Sequence, residues 1–304
     1  MSKVAFVFPG QGSQYVGMLK EIFEKYESAK LLVQNANEVL GFDISKIMFE
    51  GPVDSLKLTD ITQPAIFIHS LAILNLLNKI KPDMAAGHSL GEYSALVSAA
   101  SLDFESGLKL VRLRGQAMLE AGIKQQGTMA AIVGLSNETV IKICEDASSE
   151  GIVQCANFNS PGQIVISGSV NGVRKAIDLA KLNKAKLAKE LVVSGAFHSP
   201  LMESAKEKLL EKLNETEFKN SEFPVYANVT AKPVCQDKEI KELLFQQLTN
   251  PVRWEETIQN MINDGAKTFY EIGPGKVLQG LIKRINPSVE IFGIDTLSDF
   301  ERFI

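Results

Sequence analysis

Residues 87–91 read Gly87-His88-Ser89-Leu90-Gly91, a G-x-S-x-G pentapeptide between a short apolar run at 84–86 and a segment of helical texture at 93–100. A strand that turns sharply into a helix at such a serine is the setting of a nucleophile elbow, so Ser89 is the candidate nucleophile of an α/β fold. The glycines have a steric reason. Lifting a serine Oγ above a sheet edge forces backbone approaches that a Cβ obstructs.

Outward from the elbow, Val4-Ala5-Phe6-Val7-Phe8 is a continuous apolar run stopped by Pro9-Gly10, which predicts a strand buried on both faces of a parallel sheet. The loop after it, Gly10-Gln11-Gly12-Ser13-Gln14, departs from G-x-G-x-x-G because the next glycine is Gly17, and a dinucleotide site is set aside. Helices are expected at 28–40, 64–79 and 104–121, alternating with strands. Beyond Gly122 the segments 128–134, 137–149, 152–157, 163–168, 170–182 and 186–193 read strand, helix, strand, strand, helix, strand. That is the order of a ferredoxin-like βαββαβ unit, with Ser136 capping its first helix and 159–162 turning between its middle strands. A helix at 199–216, a strand at 224–228, helices at 239–248 and 254–264, a strand at 268–272, a helix from 276 and a strand at 289–294 then resume the alternation. The expected organisation is a sheet domain from residues 1–124 and 195–304, interrupted by a small domain at 125–194.

An apolar share of 45% and a charged share of 22% in 304 residues suit a globular protein with a sizeable core. The net charge of -4, without long runs of one sign, argues against nucleic acid and leaves small anionic substrates open. Cys144, Cys155 and Cys235 lie far apart, so free thiols in a reducing compartment are expected, with neither a disulfide framework nor a metal knuckle. The run at 4–8 is too short for a signal peptide, and the longest apolar stretch, 64–80, is broken by His69, Asn75 and Asn78. A cytoplasmic protein without membrane contact is expected.

A serine needs a base, most often histidine, and the chain has three. His88 adjoins Ser89 on a turn where neighbouring side chains diverge. His69 has Ala65, Ile66, Ala72 and Ile73 at helical spacing, the address of a core or pocket-wall histidine. His198 lies in a loop at the junction of the two expected domains, where catalytic side chains commonly sit, and is the candidate base by elimination. No acidic residue between Ser89 and His198 marks itself as a third member, so a neutral acceptor such as a backbone carbonyl is expected to orient the histidine. Arg114 has Leu110, Val111, Ala117 and Met118 three and four residues away, which places a guanidinium in a buried stripe. Taken out of water it needs an anion, and two are open to it: an internal Asp or Glu, or a substrate carboxylate.

Six motifs in order, Phe8-Pro9-Gly10-Gln11-Gly12-Ser13-Gln14, Gly87-His88-Ser89-Leu90-Gly91-Glu92, Arg114-Gly115, Asn159-Ser160-Pro161-Gly162-Gln163, Ala196-Phe197-His198-Ser199 and Glu271-Ile272-Gly273-Pro274-Gly275, closely resemble those of malonyl-CoA:acyl carrier protein transacylases. The resemblance runs nearly end to end. It implies an α/β-hydrolase-like catalytic domain with a ferredoxin-like insert, and a ping-pong malonyl transfer from malonyl-CoA to the phosphopantetheine thiol of acyl carrier protein, without metal or other cofactor, in fatty acid biosynthesis. It implies Ser89 as nucleophile, His198 as base, the backbone N–H groups of Gln11 and Leu90 as oxyanion donors and Arg114 as the grip on the malonyl carboxylate. Gln247 falls where the family has the residue whose carbonyl orients the histidine, with Gln246 as the neighbouring alternative. Phe197 matches the malonyl-selective form of its loop and is expected to crowd an α-methyl group. Lys184 and Lys186, in a basic cluster with Arg174, Lys175, Lys181 and Lys189, are candidates for docking the acidic carrier protein. A monomer is expected. The alternatives are a serine esterase or thioesterase, an acyltransferase of a polyketide pathway, and a non-enzymatic module of a larger synthase.

Overall fold

The structure is a computed structural model, and residues 2–304 are described. Among the described residues ten strands form two sheets. In chain order they are β1 (Lys3–Phe8), β2 (Met84–Gly87), β3 (Gly127–Val133), β4 (Val153–Ser160), β5 (Gln163–Ser169), β6 (Leu187–Glu190), β7 (Val225–Tyr226), β8 (Pro233–Val234), β9 (Ala266–Ile272) and β10 (Glu290–Ile294). The larger sheet has the order β10-β9-β1-β2-β7-β8 and the smaller one β4-β5-β3-β6. All pairings in the larger sheet are parallel except β7 with β8, and all in the smaller sheet are antiparallel.

The two sheets explain the two textures of the chain. Along β1, Phe6 and Phe8 enter one apolar core while Ala5 and Val7 enter another on the opposite face. A strand covered by helices on both sides has no polar face to show, hence the unbroken apolar run. In the smaller sheet Ala130, Ile132, Ile164 and Ile166 pack against Val140, Ile143, Val173 and Ala176 of its two helices, Asn137–Ala147 and Val170–Leu182. The alternate residues Met129 and Val165 face a cavity between the sheets instead. Ser136 and Ser169 cap these helices through bonds to Thr139 N–H and Gly172 N–H.

Helix Thr59–Leu76 begins a turn earlier than the expected 64–79 and carries Pro64 inside it. A proline there leaves the carbonyl four residues back without its helical donor. Arg112 donates to that Asp60 carbonyl and also to the Asp60 carboxylate at 2.8 Å, so the helix continues through the proline. The expected strands 186–193 and 224–228 shrink to Leu187–Glu190 and Val225–Tyr226. Asn228, beyond β7, turns its side chain to the elbow instead of its backbone to a ladder. Among the described residues no helix is long and apolar enough to cross a membrane.

Candidate active site

Four loops converge at the carboxyl ends of parallel strands: 9–14 after β1, the elbow after β2, 227–230 after β7 and 273–276 after β9. This is where open parallel sheets place ligands. The elbow itself is sterically determined. A Cβ on Gly87 would fall on the carbonyl of Gly91, and one on Gly91 would fall on the carbonyl oxygen of Phe8. Ser89 between them has φ 52, the left-handed region that non-glycine residues rarely occupy. Asn228 holds the turn in that shape. Its Oδ1 accepts the Ser89 N–H at 2.7 Å and its Nδ2 donates to the Gly87 carbonyl at 2.7 Å.

Ser89 Oγ lies 2.8 Å from His198 Nε2. The other ring nitrogen, Nδ1, is 2.9 Å from the Gln247 carbonyl and 3.2 Å from the Asn250 carbonyl. Two carbonyl acceptors require the proton on Nδ1, which leaves the Nε2 lone pair facing the serine. His198 also has a left-handed φ of 57, and its own carbonyl accepts Gln154 Nε2 at 2.9 Å. Burial, and then the charge of Arg114, push the imidazole down to about 3, so it is neutral across the physiological range. A neutral imidazole so aimed can take the serine proton.

Arg114, 1% exposed on helix Phe104–Lys124, settles the question its sequence position raised. Among the described residues no carboxylate pairs with it. Its Nη1 donates to Gln63 Oε1 at 2.8 Å, and its Nη2 to Gln247 Oε1 and to Ser89 Oγ, each at 3.0 Å. Tyr93 lies under the guanidinium at 5.8 Å from its ring centroid. A buried cation held only by neutral groups beside a nucleophile can receive an anionic substrate group.

The backbone N–H groups of Leu90 and Gln11 make no backbone hydrogen bond among the described residues, and both residues line the cavity between the sheets. Ser89 N–H, by contrast, is taken by Asn228. The cavity measures 780 Å³ and is also lined by Arg114, Met129, Phe197 and His198. Phe197 is buried in its wall. Gln247 supplies the carbonyl at His198, while the Gln246 carbonyl goes to Asn250 Nδ2 at 2.8 Å. Lys184 and Lys186 are exposed on the smaller-sheet unit, but Arg174 and Lys181 of the same cluster pair with Glu190 and Asp178.

His88 points away from the serine, with Nε2 2.8 Å from Asn159 Oδ1. His69 is buried against Asp295. Four residues at the site escaped sequence reasoning: Gln63, Glu92, Gln154 and Asn228. Only Glu92 had a visible signal, a charged residue directly after an apolar-flanked elbow. No group of three or more His, Cys, Asp or Glu residues suited to a metal ion occurs among the described residues.

Comparison with known proteins shows what the whole chain is similar to. Residues 5–291 match the family described as acyl transferase domain. The malonyl CoA-acyl carrier protein transacylase of Bacillus subtilis (strain 168) is 48% identical over 297 residues, 97% of this chain and 94% of that protein. That of Staphylococcus aureus (strain MSSA476) is 43% identical over 300 residues, 98% of this chain and 97% of that protein. Among solved structures, the acyl carrier protein S-malonyltransferase of Vibrio cholerae superposes with a TM-score of 0.96 at 43% identity, covering 100% of both chains. A malonyl-transacylase in complex with its type II PKS acyl-carrier protein gives a TM-score of 0.96 at 40% identity, covering 99% of both chains. Matched along nearly its whole length at these identities, the chain belongs to the malonyl CoA-acyl carrier protein transacylase family of acyl transferases.

Proposed function

We propose that this enzyme transfers a malonyl group from malonyl-CoA to the phosphopantetheine thiol of an acyl carrier protein, by a ping-pong mechanism through an ester on Ser89, in the service of fatty acid biosynthesis. The observation that carries the reading is Arg114, a buried guanidinium 3.0 Å from Ser89 Oγ with no carboxylate partner among the described residues. An esterase for neutral acyl groups has no use for such a cation, whose burial costs several kcal/mol unless an anion meets it.

In the first half-reaction Ser89 Oγ attacks the thioester carbonyl while its proton passes to His198 Nε2. Gln11 and Leu90 N–H groups receive the oxyanion, because Asn228 has already taken the N–H of Ser89. Collapse expels the CoA sulfur, which takes the proton from His198. In the second, the carrier thiol gives its proton to His198, attacks the ester carbonyl, and the Ser89 oxygen leaves and recovers the proton. Throughout, Arg114 exchanges its glutamine and serine contacts for the malonyl carboxylate and holds the ester in a cleft where water is excluded. This chemistry calls for no metal or redox group. Phe197 in the cavity wall restricts the α-carbon, so methylmalonyl-CoA loads poorly.

The same reading divides the chain into an α/β-hydrolase-like catalytic domain, 1–124 with 195–304, and a ferredoxin-like small domain, 125–194, in a cytoplasmic monomer. The order β4-β5-β3-β6 with two helices on one face supports the small domain. Incubation with malonyl-CoA and mass analysis should find one malonyl group on Ser89, discharged by a phosphopantetheinylated carrier protein. Arg114→Ala should lower kcat/KM for malonyl-CoA by roughly 2 to 5 kcal/mol in barrier while raising loading of uncharged acyl groups relative to it. An adduct elsewhere, or equal malonyl and acetyl loading by the wild type, would sink the reading.

A further inference from the structure

Glu92 directly follows the elbow, is 3% exposed and has no part in the proton transfers above. Its Oε2 accepts two hydrogen bonds, from Asn228 N–H at 3.0 Å and from Gln247 Nε2 at 2.8 Å. The far end of the same Gln247 carboxamide, Oε1, accepts Arg114 Nη2 at 3.0 Å. Carboxyl, carboxamide and guanidinium are therefore joined by hydrogen bonds, from buried Glu92 on helix Gly91–Ser98 to Arg114 in the lining of the substrate cavity. From the other elements packed here, Arg114 is the charged group that faces Glu92, and Tyr93 on its own helix is a phenol kept protonated by burial. Asn228 and Gln247 are neutral.

We propose that Glu92 is the internal counter-charge of Arg114, relayed through Gln247, and that Glu92 takes up a proton when the malonyl carboxylate binds. The proposal rests on the reading that Arg114 receives that carboxylate. In the empty site one buried anion and one buried cation balance at a distance. An arriving carboxylate adds a second anion in a low-dielectric cleft, and protonating Glu92 relieves it without moving the Glu92 carboxyl. Both bonds to Glu92 end on one oxygen, so the neutral acid keeps them with Oε2 as its carbonyl. Burial raises the Glu92 carboxyl to about 7, against the hydrogen bonds of Asn228 and Gln247 and the charge of Arg114, so both ionisation states are within reach at neutral pH. Below that value Glu92 is neutral and leaves the guanidinium's field to the substrate. Capture of malonyl-CoA therefore strengthens as pH falls from 8 to 6. His198, held near 3, does not titrate in this window. Glu271, also raised to about 7 by burial, caps helix Val277–Ile285 through Leu278 N–H and is separated from Glu92 only by a variant.

That variant is Glu92→Gln, whose single amide oxygen can accept both bonds while removing the charge. Measured at pH 6 and 8, the wild-type KM for malonyl-CoA should rise on the order of threefold to tenfold, whereas E92Q should hold the low, pH 6 value at both. An E92Q enzyme that keeps the wild-type pH response, or whose KM is raised at both pH values, overturns the proposal. Calorimetry of malonyl-CoA binding to S89A in buffers of different ionisation enthalpy gives a second readout that does not require E92Q to fold. About half a proton should be taken up at pH 7, and none taken up would be equally fatal. Acetyl-CoA separates the two layers: equal wild-type loading of acetyl and malonyl groups removes the Arg114 reading itself. A retained malonyl preference with an unaltered E92Q pH response removes only the counter-charge.

Discussion

His198 and His69 are both buried, and each has one ring nitrogen on a backbone carbonyl, yet their surroundings divide them. At His198 every acceptor is neutral: the Gln247 and Asn250 carbonyls hold Nδ1, and Ser89 Oγ faces Nε2. At His69 the partner is a carboxylate. Nε2 lies 3.2 Å from Asp295 Oδ1 and 3.1 Å from the Asp295 carbonyl, and Asp295 also accepts Tyr15 OH at 2.8 Å and Gly275 N–H at 2.9 Å. A carbonyl cage orients an imidazole while leaving its second nitrogen a working lone pair. A carboxylate with several donors makes the histidine part of a tie, here joining the loops after β1 and β9 that flank the cavity. The triad geometry of a hydrolase thus survives at Ser89 with a carbonyl in the place of the acid.

Exchanging the roles should expose the contrast. His198→Ala is expected to lower malonyl transfer by about 10²- to 10⁴-fold with thermal stability nearly unchanged, as assays beside a melting curve would record. Because burial and Arg114 hold this imidazole near 3, kcat/KM for malonyl-CoA in the wild type should have no acid limb near pH 6.5. A limb there that vanishes in the His198 variant would contradict the neutral cage.

Asp295→Asn should do the reverse, destabilising the fold by about 1 to 3 kcal/mol at pH 7 through unmatched donors, with a smaller effect on rate. Burial works to raise the Asp295 carboxyl, but bonds from His69, Gly275 and Tyr15 and the charge of His69 outweigh it and hold it below the ordinary value. A depressed carboxyl contributes stability above its unfolded pKa and loses it as pH falls through the folded one. The gap between wild type and variant in urea unfolding should therefore close below about pH 4. A gap independent of pH would assign the cluster to packing alone.

The smallest effect concerns neither histidine. Lys184→Glu with Lys186→Glu should slow discharge to the carrier protein by roughly threefold, more at low salt, and leave loading from malonyl-CoA untouched. Equal slowing of both half-reactions would remove these lysines from docking.

Much of the site was legible because its constraints are local. The elbow announces itself through two glycines that have no room for a Cβ, and Arg114 through a period that buries it. The smaller sheet's element order was equally local, each helix carrying its serine cap. What escaped notice depends on distant pairings. Asn228 lies 139 residues from Ser89 and has the sequence signature of any loop asparagine. Gln63 and Gln154 are polar residues in apolar surroundings, a pattern satisfied equally by solvent or by a buried partner. Pro64 misplaced the start of its helix because the donor that compensates for it, on Arg112, comes from another helix.

By itself the sequence determined that a serine would be lifted from a parallel sheet, that an arginine would be buried, and which segments alternate. These follow from sterics and hydrophobic period, which act over a few residues. Only the tertiary structure decided that Ser89, His198 and Arg114 meet, that no carboxylate touches Arg114 directly, and which carbonyls orient His198. Those depend on side chains up to 158 residues apart, as with Gln247 Nε2 and the Ser89 carbonyl. A hydrogen bond is directional over about 3 Å, and no pattern along the chain encodes which residues the fold brings within it.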